Sequence, residues 1–340
     1  VFVLSVPISE NIEYSFKLNK LCNSIHPEKI IKLRKKDDII EHINNTDYDL
    51  IINNKLNEFF SLCPFLNKKI DVITHNSMDI FNSIIIDHEH YINRIFTINK
   101  IHRDILYNYK LNIPTKQYIN YVNSSLKPIS RKSFTNKIVF VGRLSKEKNL
   151  LLLYDAFIQA TSIIPLELII IGDGDEKYKK IHPNIKYMGY LPQHEVKNII
   201  CTCDYLIIPS YTEGLPFTML EAMGIGIPCI GSDTNGINEI IQKNNGFLFK
   251  LEGYSEHKYT INNWDVYNTV DACYKKNKHY LTNCILNAYN ISIQSWNKLS
   301  HNCHKLIKLT HTKIIAQNLN LNNLNPIPNQ IEHTKHYNIF

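Results

Sequence analysis

The residues best placed to do chemistry are Glu213 and Glu221, two carboxylates separated by seven residues in Glu213-Gly214-Leu215-Pro216-Phe217-Thr218-Met219-Leu220-Glu221. The preceding YLIIPS is an apolar run that reads as a strand, and FTMLEAMGI reads as a helix. The first carboxylate is therefore expected on a loop at a strand's carboxyl end, the second in the opening turns of the following helix. Gly214 lacks a Cβ and lets a ligand approach the backbone. Pro216 suits a helix start, where its missing N–H is not needed. A helix beginning there offers free N–H groups to an anion. This spacing suits a diphosphate at the helix end, with carboxylates accepting from sugar hydroxyls on either side. An isolated glutamate pair is more often solvated or capping, so the segments around it decide.

Those segments alternate between strand-like and helix-like. KIVFVG reads as a buried strand. Lys148 to Thr161 has helical periodicity, with Leu150, Leu151, Leu153, Tyr154, Phe157 and Ile158 apolar. LELIIIG and IKYMGY read as strands, Gln193 to Ile200 as a helix, PCIGSD as a strand, INEIIQ as a short helix and GFLF as a last strand. This is a complete doubly wound unit. The first third has strand-like VFVLSVP, YDLIINN, IDVITHN and YINRIFTIN, with helix-like IIEHINN and IHRDILYNY, which predicts βαβ units and a parallel sheet. The polar YVNSSLKPISRKSFTN reads as a linker. Beyond Lys250 come helical segments holding Trp264 and Trp296, then an Asn- and Pro-rich stretch after Thr312 that reads as a poorly ordered tail. Two doubly wound domains in series would place a ligand between them, at the carboxyl ends of the strands.

Four ordered segments, KIVFVGRLSKEKNLLLLYDAF, IIIGDGDEKYKK, IKYMGYLPQHEVKNII and YLIIPSYTEGLPFTMLEAMGIGIPCIGSDTNGINEII, cover about a third of the chain. Together they resemble the retaining glycosyltransferases of family 4 (glycosyl transferases group 1, GT-B fold). The resemblance implies an α/β chain of two doubly wound, Rossmann-like domains facing a cleft. It places an acceptor-side domain at 1–133, a donor domain at 134–285, and a helix at 286–311 packing back on the first domain, with 312–340 as tail. It implies transfer of a sugar from a nucleoside diphosphate sugar to a hydroxyl, with retention and without an enzyme nucleophile. Arg143 and Lys148, following Gly142, would hold the donor diphosphate. Glu221 would bind the ribose hydroxyls. Glu213, with the backbone at Gly214, Leu215, Pro216 and Phe217, would hold the transferred sugar and its phosphate, and the backbone at Tyr190 and Leu191 would contact the base. His75 matches a position where a histidine faces the reacting sugar. Arg143 and Lys148 would do the work that metal ions do in other enzymes, so no metal or cofactor is expected. The partners expected are a nucleotide-sugar donor and a glycan, lipid-linked or other hydroxyl acceptor.

Two departures lie in the N-terminal half. The turn after the first strand reads SVPISEN, without the family's glycines, and Tyr121-Val122-Asn123-Ser124 stands where an Asn-Gly turn is expected. They motivate an alternative reading as a catalytically impaired relative that binds a nucleotide sugar as sensor or scaffold.

The composition bounds the remaining readings. The chain of 340 residues is 44% hydrophobic and 20% charged, a balance that suits two globular cores. It has no apolar run long enough to cross a membrane, and its opening residues read as a strand and not as a signal peptide. A net charge of +7 suits a phosphorylated ligand or peripheral contact with an anionic membrane, and is too mild and dispersed for nucleic acid. The basic run Lys32, Arg34, Lys35 and Lys36 meets Asp37 and Asp38 at once and reads as a solvated helix end. The eight cysteines form no CxxC, which favours a reducing, cytoplasmic setting over a disulfide framework. His88 and His90 are two apart, on different faces of a helix, and make a poor metal pair. Asp173-Gly174-Asp175 reads as turn chemistry rather than a metal site. A nicotinamide-binding oxidoreductase would need a G-x-G-x-x-G after a strand, and none is present.

Overall fold

In the computed structural model, the apolar runs assemble into two sheets. The structure describes residues 2–5, 14–18, 30–33, 36–45, 50–52, 60–74, 84–108, 111, 113–117, 122, 127–254 and 263–318. Two compact units result: residues 1–98, 102–118 and 316–340 form the first, and residues 99–101 and 119–315 the second.

The first unit holds β1 (Phe2–Ser5), β2 (Tyr14–Leu18), β3 (Ile30–Leu33), β4 (Leu50–Ile52), β5 (Ile70–Thr74), β6 (Ile92–Thr97) and β7 (Thr115–Gln117). Their order is β3-β2-β1-β4-β5-β6-β7. From β1 to β7 the neighbours run parallel, as the alternating pattern predicts. The other edge differs: β2 pairs antiparallel with both β1 and β3. Residues 6–13 and 19–29 are the links, and a parallel crossover takes about a dozen residues or more, usually with a helix. Among the described residues, the helices here are α1 (Lys36–Asn44), α2 (Ile84–Asp87) and α3 (Lys100–Asn108), the last belonging to this unit from His102 on. Within β5 the buried Asp71 carboxylate accepts from Asn93 Nδ2 at 2.9 Å and pairs with Arg94 of β6, so a charge inside the sheet is matched.

The second unit is built on β8 (Lys137–Val141), β9 (Glu167–Ile171), β10 (Ile185–Gly189), β11 (Tyr205–Ile208), β12 (Cys229–Ser232) and β13 (Gly246–Phe249), in the order β10-β9-β8-β11-β12-β13 and all parallel. Its central strands are buried on both faces, hence their unbroken apolar runs: Ile138, Val139 and Phe140, then Leu168 to Ile171, then Leu206 and Ile207. The helices are α4 (Leu150–Thr161), α5 (Gln193–Thr202), α6 (Phe217–Gly224), α7 (Asn263–Ala272), α8 (Tyr274–Tyr289) and α9 (Ile293–Asn318). In α4, Leu150, Leu153, Tyr154 and Phe157 are buried as the periodicity predicts, but Leu152 is buried too and Leu151 is 47% exposed. INEIIQ is not a helix but a set of turns. Gly236 has φ +73°, and Ile237 and Ile241 pack where a Cβ on Gly231 would stand, which anchors the segment to β12 in place of a regular helix.

Residues 127–136, in the expected linker, are tied firmly to this unit. Asp204, fully buried ahead of β11, accepts from the backbone N–H of Thr135 at 2.9 Å and of Asn136 at 2.7 Å. Arg131 donates to the carbonyls of Cys201 at 2.8 Å and Cys203 at 2.6 Å and lies over the buried Trp296 of α9. Trp296 Nε1 donates to the Asp204 carbonyl at 3.1 Å. Residues 319–340 lie outside the described residues.

Candidate functional site

The winding of the second sheet reverses between β8 and β11: β9 and β10 extend to one side, β12 and β13 to the other. In open α/β sheets, the loops at the carboxyl ends of such a neighbouring pair diverge and leave room for a ligand. Here those loops are 142–149 after β8 and 209–216 after β11. Tyr211 N–H donates to the Glu147 carbonyl at 2.9 Å, which ties the two together.

Lys148 and Glu213 meet across that junction, Nζ to Oε1 at 2.7 Å. Lys148 sits in a short 3-10 turn, Lys146–Lys148, that precedes α4. The turn ends on Asn149, held in the left-handed region at φ 52°. The side chains are 20% and 13% exposed, so the pair is sheltered from bulk water but not sealed. Gly142 lies beside them: a Cβ there would stand 3.8 Å from Lys148 Cε and 3.2 Å from Phe140 Cζ. Arg143 is apart from the pair. Its side chain is 80% exposed and reaches Glu147 at 3.1 Å.

The helix α6 begins directly after this loop. Pro216 is its N-cap, with no side-chain capping bond, so the first N–H groups are left uncapped by that side chain. Leu215 is buried and Gly214 half-buried, while Phe217 is 37% exposed at the helix start. Glu221, one turn in, accepts a short hydrogen bond from Gln193 Nε2, the first residue of α5. Tyr190 and Leu191 precede Gln193, and Tyr190 is 62% exposed. The structure thus groups Gly142, Lys148, Glu213, Gly214, Leu215, Pro216 and Phe217 around one junction. Through Gln193 it sets Glu221 beside the Tyr190–Leu191 loop. His75 lies outside the described residues; β5, which leads to it, ends at Thr74.

The turn after β9 behaves as its composition predicts. Asp173 Oδ1 accepts from Gly174 N–H at 2.8 Å, and Asp175 Oδ1 from Lys177 N–H at 3.0 Å. Lys177 also holds the Asp175 carboxyl below its usual range. A Cβ on Gly174 would lie 2.4 Å from the Leu144 carbonyl oxygen, so only glycine lets this turn lie against the β8 loop. Among the described residues, no group of three or more His, Cys, Asp or Glu side chains is arranged to hold a metal. His88 stacks on Phe60, ring centroids 4.4 Å apart.

Several contributors escape a reading of the sequence. Ser210 Oγ donates to Glu213 Oε1 at 2.6 Å, and Ser232 Oγ of β12 donates to the Ser210 carbonyl at 2.6 Å. Gly236 packs against Gly214, whose carbonyl oxygen would lie 2.0 Å from a Cβ there. Tyr211 donates to Asp271 of α7; burial pushes its phenol well above the ordinary range. The Ser210–Glu213 bond spans only three residues and depends on how the loop curls back, while the others join segments 22 to 60 residues apart in the chain, so no local spacing announces them.

Residues 135–258 match the family described as Glycosyl transferases group 1. The chain is 33% identical over 136 residues to the UDP-Gal:alpha-D-GlcNAc-diphosphoundecaprenol alpha-1,3-galactosyltransferase of Escherichia coli, covering 36% of this chain and 34% of that protein. It is 31% identical over 127 residues to the amylovoran biosynthesis glycosyltransferase AmsK of Erwinia amylovora, covering 32% and 30%. The match thus spans about a third of the length of these curated relatives. The crystal structure of Anabaena Alr3699/HepE in complex with UDP and glucose is similar at a TM-score of 0.61 and 14% identity, covering 85% of this chain and 80% of that one, a likeness of fold. No helix among the described residues is long and apolar enough to cross a membrane. Residues 135–258 are a glycosyl transferases group 1 domain, in a chain with the α/β, Rossmann-like fold of the GT-B type.

Proposed function

We propose that the protein is a retaining glycosyltransferase that moves a sugar from a nucleoside diphosphate sugar to a hydroxyl of a glycan or lipid-linked acceptor. The observation that carries the proposal is the Lys148–Glu213 pair at the winding reversal, beside the start of α6 in the group 1 domain. A cation next to a helix amino end attracts a diphosphate. An adjacent carboxylate accepts hydrogen bonds from sugar hydroxyls. Glu221, one turn along the same helix, takes the ribose hydroxyls, and the Tyr190–Leu191 backbone takes the base.

In this reading, bond breaking moves charge onto the leaving diphosphate, and Lys148 and Arg143 stabilise it there. The cationic side chains take the place of a metal. The leaving phosphate then helps remove the acceptor proton on the same face of the sugar, which retains configuration; His75 faces the reacting sugar. The relatives' printed names include a UDP-sugar donor and a diphosphoundecaprenol acceptor. We extend the proposal to uridine diphosphate sugars as the first donors to try, and to a cytoplasmic setting with peripheral membrane contact. Incubating the purified chain with radiolabelled UDP-, GDP- and ADP-sugars and a lipid or glycan extract tests it. Label transferred with the anomeric configuration of the donor is the expected result; no transfer and no hydrolysis from any donor would count against it.

A further inference from the structure

Glu213 has two carboxylate oxygens, and its described partners converge on one of them. Lys148 Nζ lies 2.7 Å and Ser210 Oγ 2.6 Å from Oε1. No hydrogen bond from the described residues reaches Oε2. Ser210 is fully buried, two residues past the end of β11. Its hydroxyl has a single proton to donate, and that proton goes to Glu213. Its own backbone is fixed from the next strand: Ser232 Oγ donates to the Ser210 carbonyl at 2.6 Å and lies 3.2 Å from Thr234 Oγ1, with both side chains fully buried. The serine is therefore a rigid donor held by the sheet, whereas Lys148 is a flexible four-carbon side chain.

We infer that Ser210 is a positioning residue for the donor sugar: it pins Glu213 Oε1 so that Oε2 is presented to a sugar hydroxyl, and it keeps that grip when Lys148 turns to the diphosphate. The inference rests on the donor reading above. It assigns Ser210 a part in recognising the sugar and none in recognising the nucleotide. A carboxylate held on one oxygen presents the other in a fixed direction. One released on both sides can rotate, and a sugar hydroxyl then loses a directed acceptor.

Calorimetric titration separates the two contributions. Dissociation constants are measured for UDP, GDP and ADP and for their glucose and N-acetylglucosamine conjugates. The ratio of nucleotide to nucleotide-sugar constants gives the affinity that the sugar adds. Ser210→Ala removes the hydroxyl; Ser210→Cys keeps the shape and leaves a weak donor. Ser300→Ala is the comparator, because it too removes a fully buried serine hydroxyl, one that donates to the Ile129 carbonyl at 2.6 Å and makes no hydrogen bond to Glu213. Both Ser210 variants are expected to bind the free nucleotide within twofold of wild type and to lose about tenfold of the sugar's contribution. Ser300→Ala is expected to keep that contribution. Undiminished sugar preference in either folded Ser210 variant overturns the inference, as does an equal loss in Ser300→Ala. A wild-type protein that binds nucleotide but prefers no sugar conjugate overturns it as well, and two Ser210 variants that both fail to fold would make the residue structural. A wild-type protein that binds no nucleotide overturns the donor reading itself, and is recognised before any variant is made.

Discussion

The Lys148 ammonium and the Glu213 carboxylate lie 2.7 Å apart across 65 residues of chain, joining the loop after β8 to the loop after β11. With donor bound, Lys148 has a second anion to serve, and charge on that anion grows as the glycosidic bond breaks. A cation there stabilises the transition state more than the ground state. Lys148→Ala is expected to lower turnover about a hundredfold, roughly 2.7 kcal/mol of barrier, while weakening donor binding less. Lys148→Arg keeps the charge but brings a planar fork in place of a compact ammonium, and should rescue only in part. Steady-state kinetics decide; a turnover number within twofold of wild type removes Lys148 from the reacting diphosphate.

Glu221 is oriented by Gln193 at the start of α5. Its proposed partners, the ribose hydroxyls, are present with or without the sugar. Glu221→Ala should therefore weaken free nucleoside diphosphate by about 1.5–3 kcal/mol, the usual worth of a hydrogen bond to a charged group. Gln193→Ala should have a smaller effect in the same direction. Unchanged nucleotide affinity in a folded Glu221→Ala protein would take the residue out of the site.

Metal removal tests the role given to the cationic side chains. In the proposed chemistry Lys148 and Arg143 neutralise the leaving diphosphate, and Asp173 and Asp175 serve their own turn. Transfer should persist in EDTA. Loss of activity on chelation, restored by manganese or magnesium, would mean that a metal does this work.

Buried thiols set an alkaline limit on stability. Burial pushes the Cys63 and Cys284 thiols up to about 12, and Cys203 up to about 11, from an ordinary 9.0. Above pH 9 the unfolded chain releases these protons while the folded chain keeps them. The folded state then binds more protons, and stability falls as pH rises. Their contribution is complete below pH 9 and is lost as pH climbs through about 11 to 12. The thermal midpoint should be insensitive to these groups between pH 7 and 8.5 and decline above 9, and an aromatic disulfide reagent at pH 8 should label the three thiols only after unfolding. Rapid labelling of the native protein at pH 8 would contradict this.

Much of the second sheet can be read from the sequence because strands buried on both faces leave continuous apolar runs, as in KIVFV, ELIII and YLII. The loop and helix holding Glu213 and Glu221 were legible for a related reason: Gly214 and Pro216 punctuate the chain where a strand ends and α6 begins. The choice between Leu151 and Leu152 in α4 was not legible, since four successive leucines satisfy more than one helical face, and it is Leu152 that is buried. INEIIQ has a short helix's apolar spacing, yet the left-handed Gly236 and the anchoring of Ile237 and Ile241 on β12 override it. β2, YSFKL, does alternate apolar and polar residues, but alternation in so short a strand does not tell parallel from antiparallel pairing. Ser210 reads only as the end of a strand. Its bond to Glu213 depends on how the loop curls back, and Lys148's pairing depends on a neighbour in the sheet and not in the chain.

The second unit is proposed to hold a nucleoside diphosphate sugar between the β8 and β11 loops and the start of α6. Thermal unfolding with UDP, GDP, ADP and their sugars tests it most directly. At 100 times its dissociation constant, a ligand that binds only the folded state adds about 2.7 kcal/mol. One nucleotide series should raise the midpoint, and its sugar conjugate should raise it further. The shift should be reduced in Glu221→Ala for both ligands and in Glu213→Ala chiefly for the conjugate. A midpoint unmoved by every nucleotide and conjugate would contradict it.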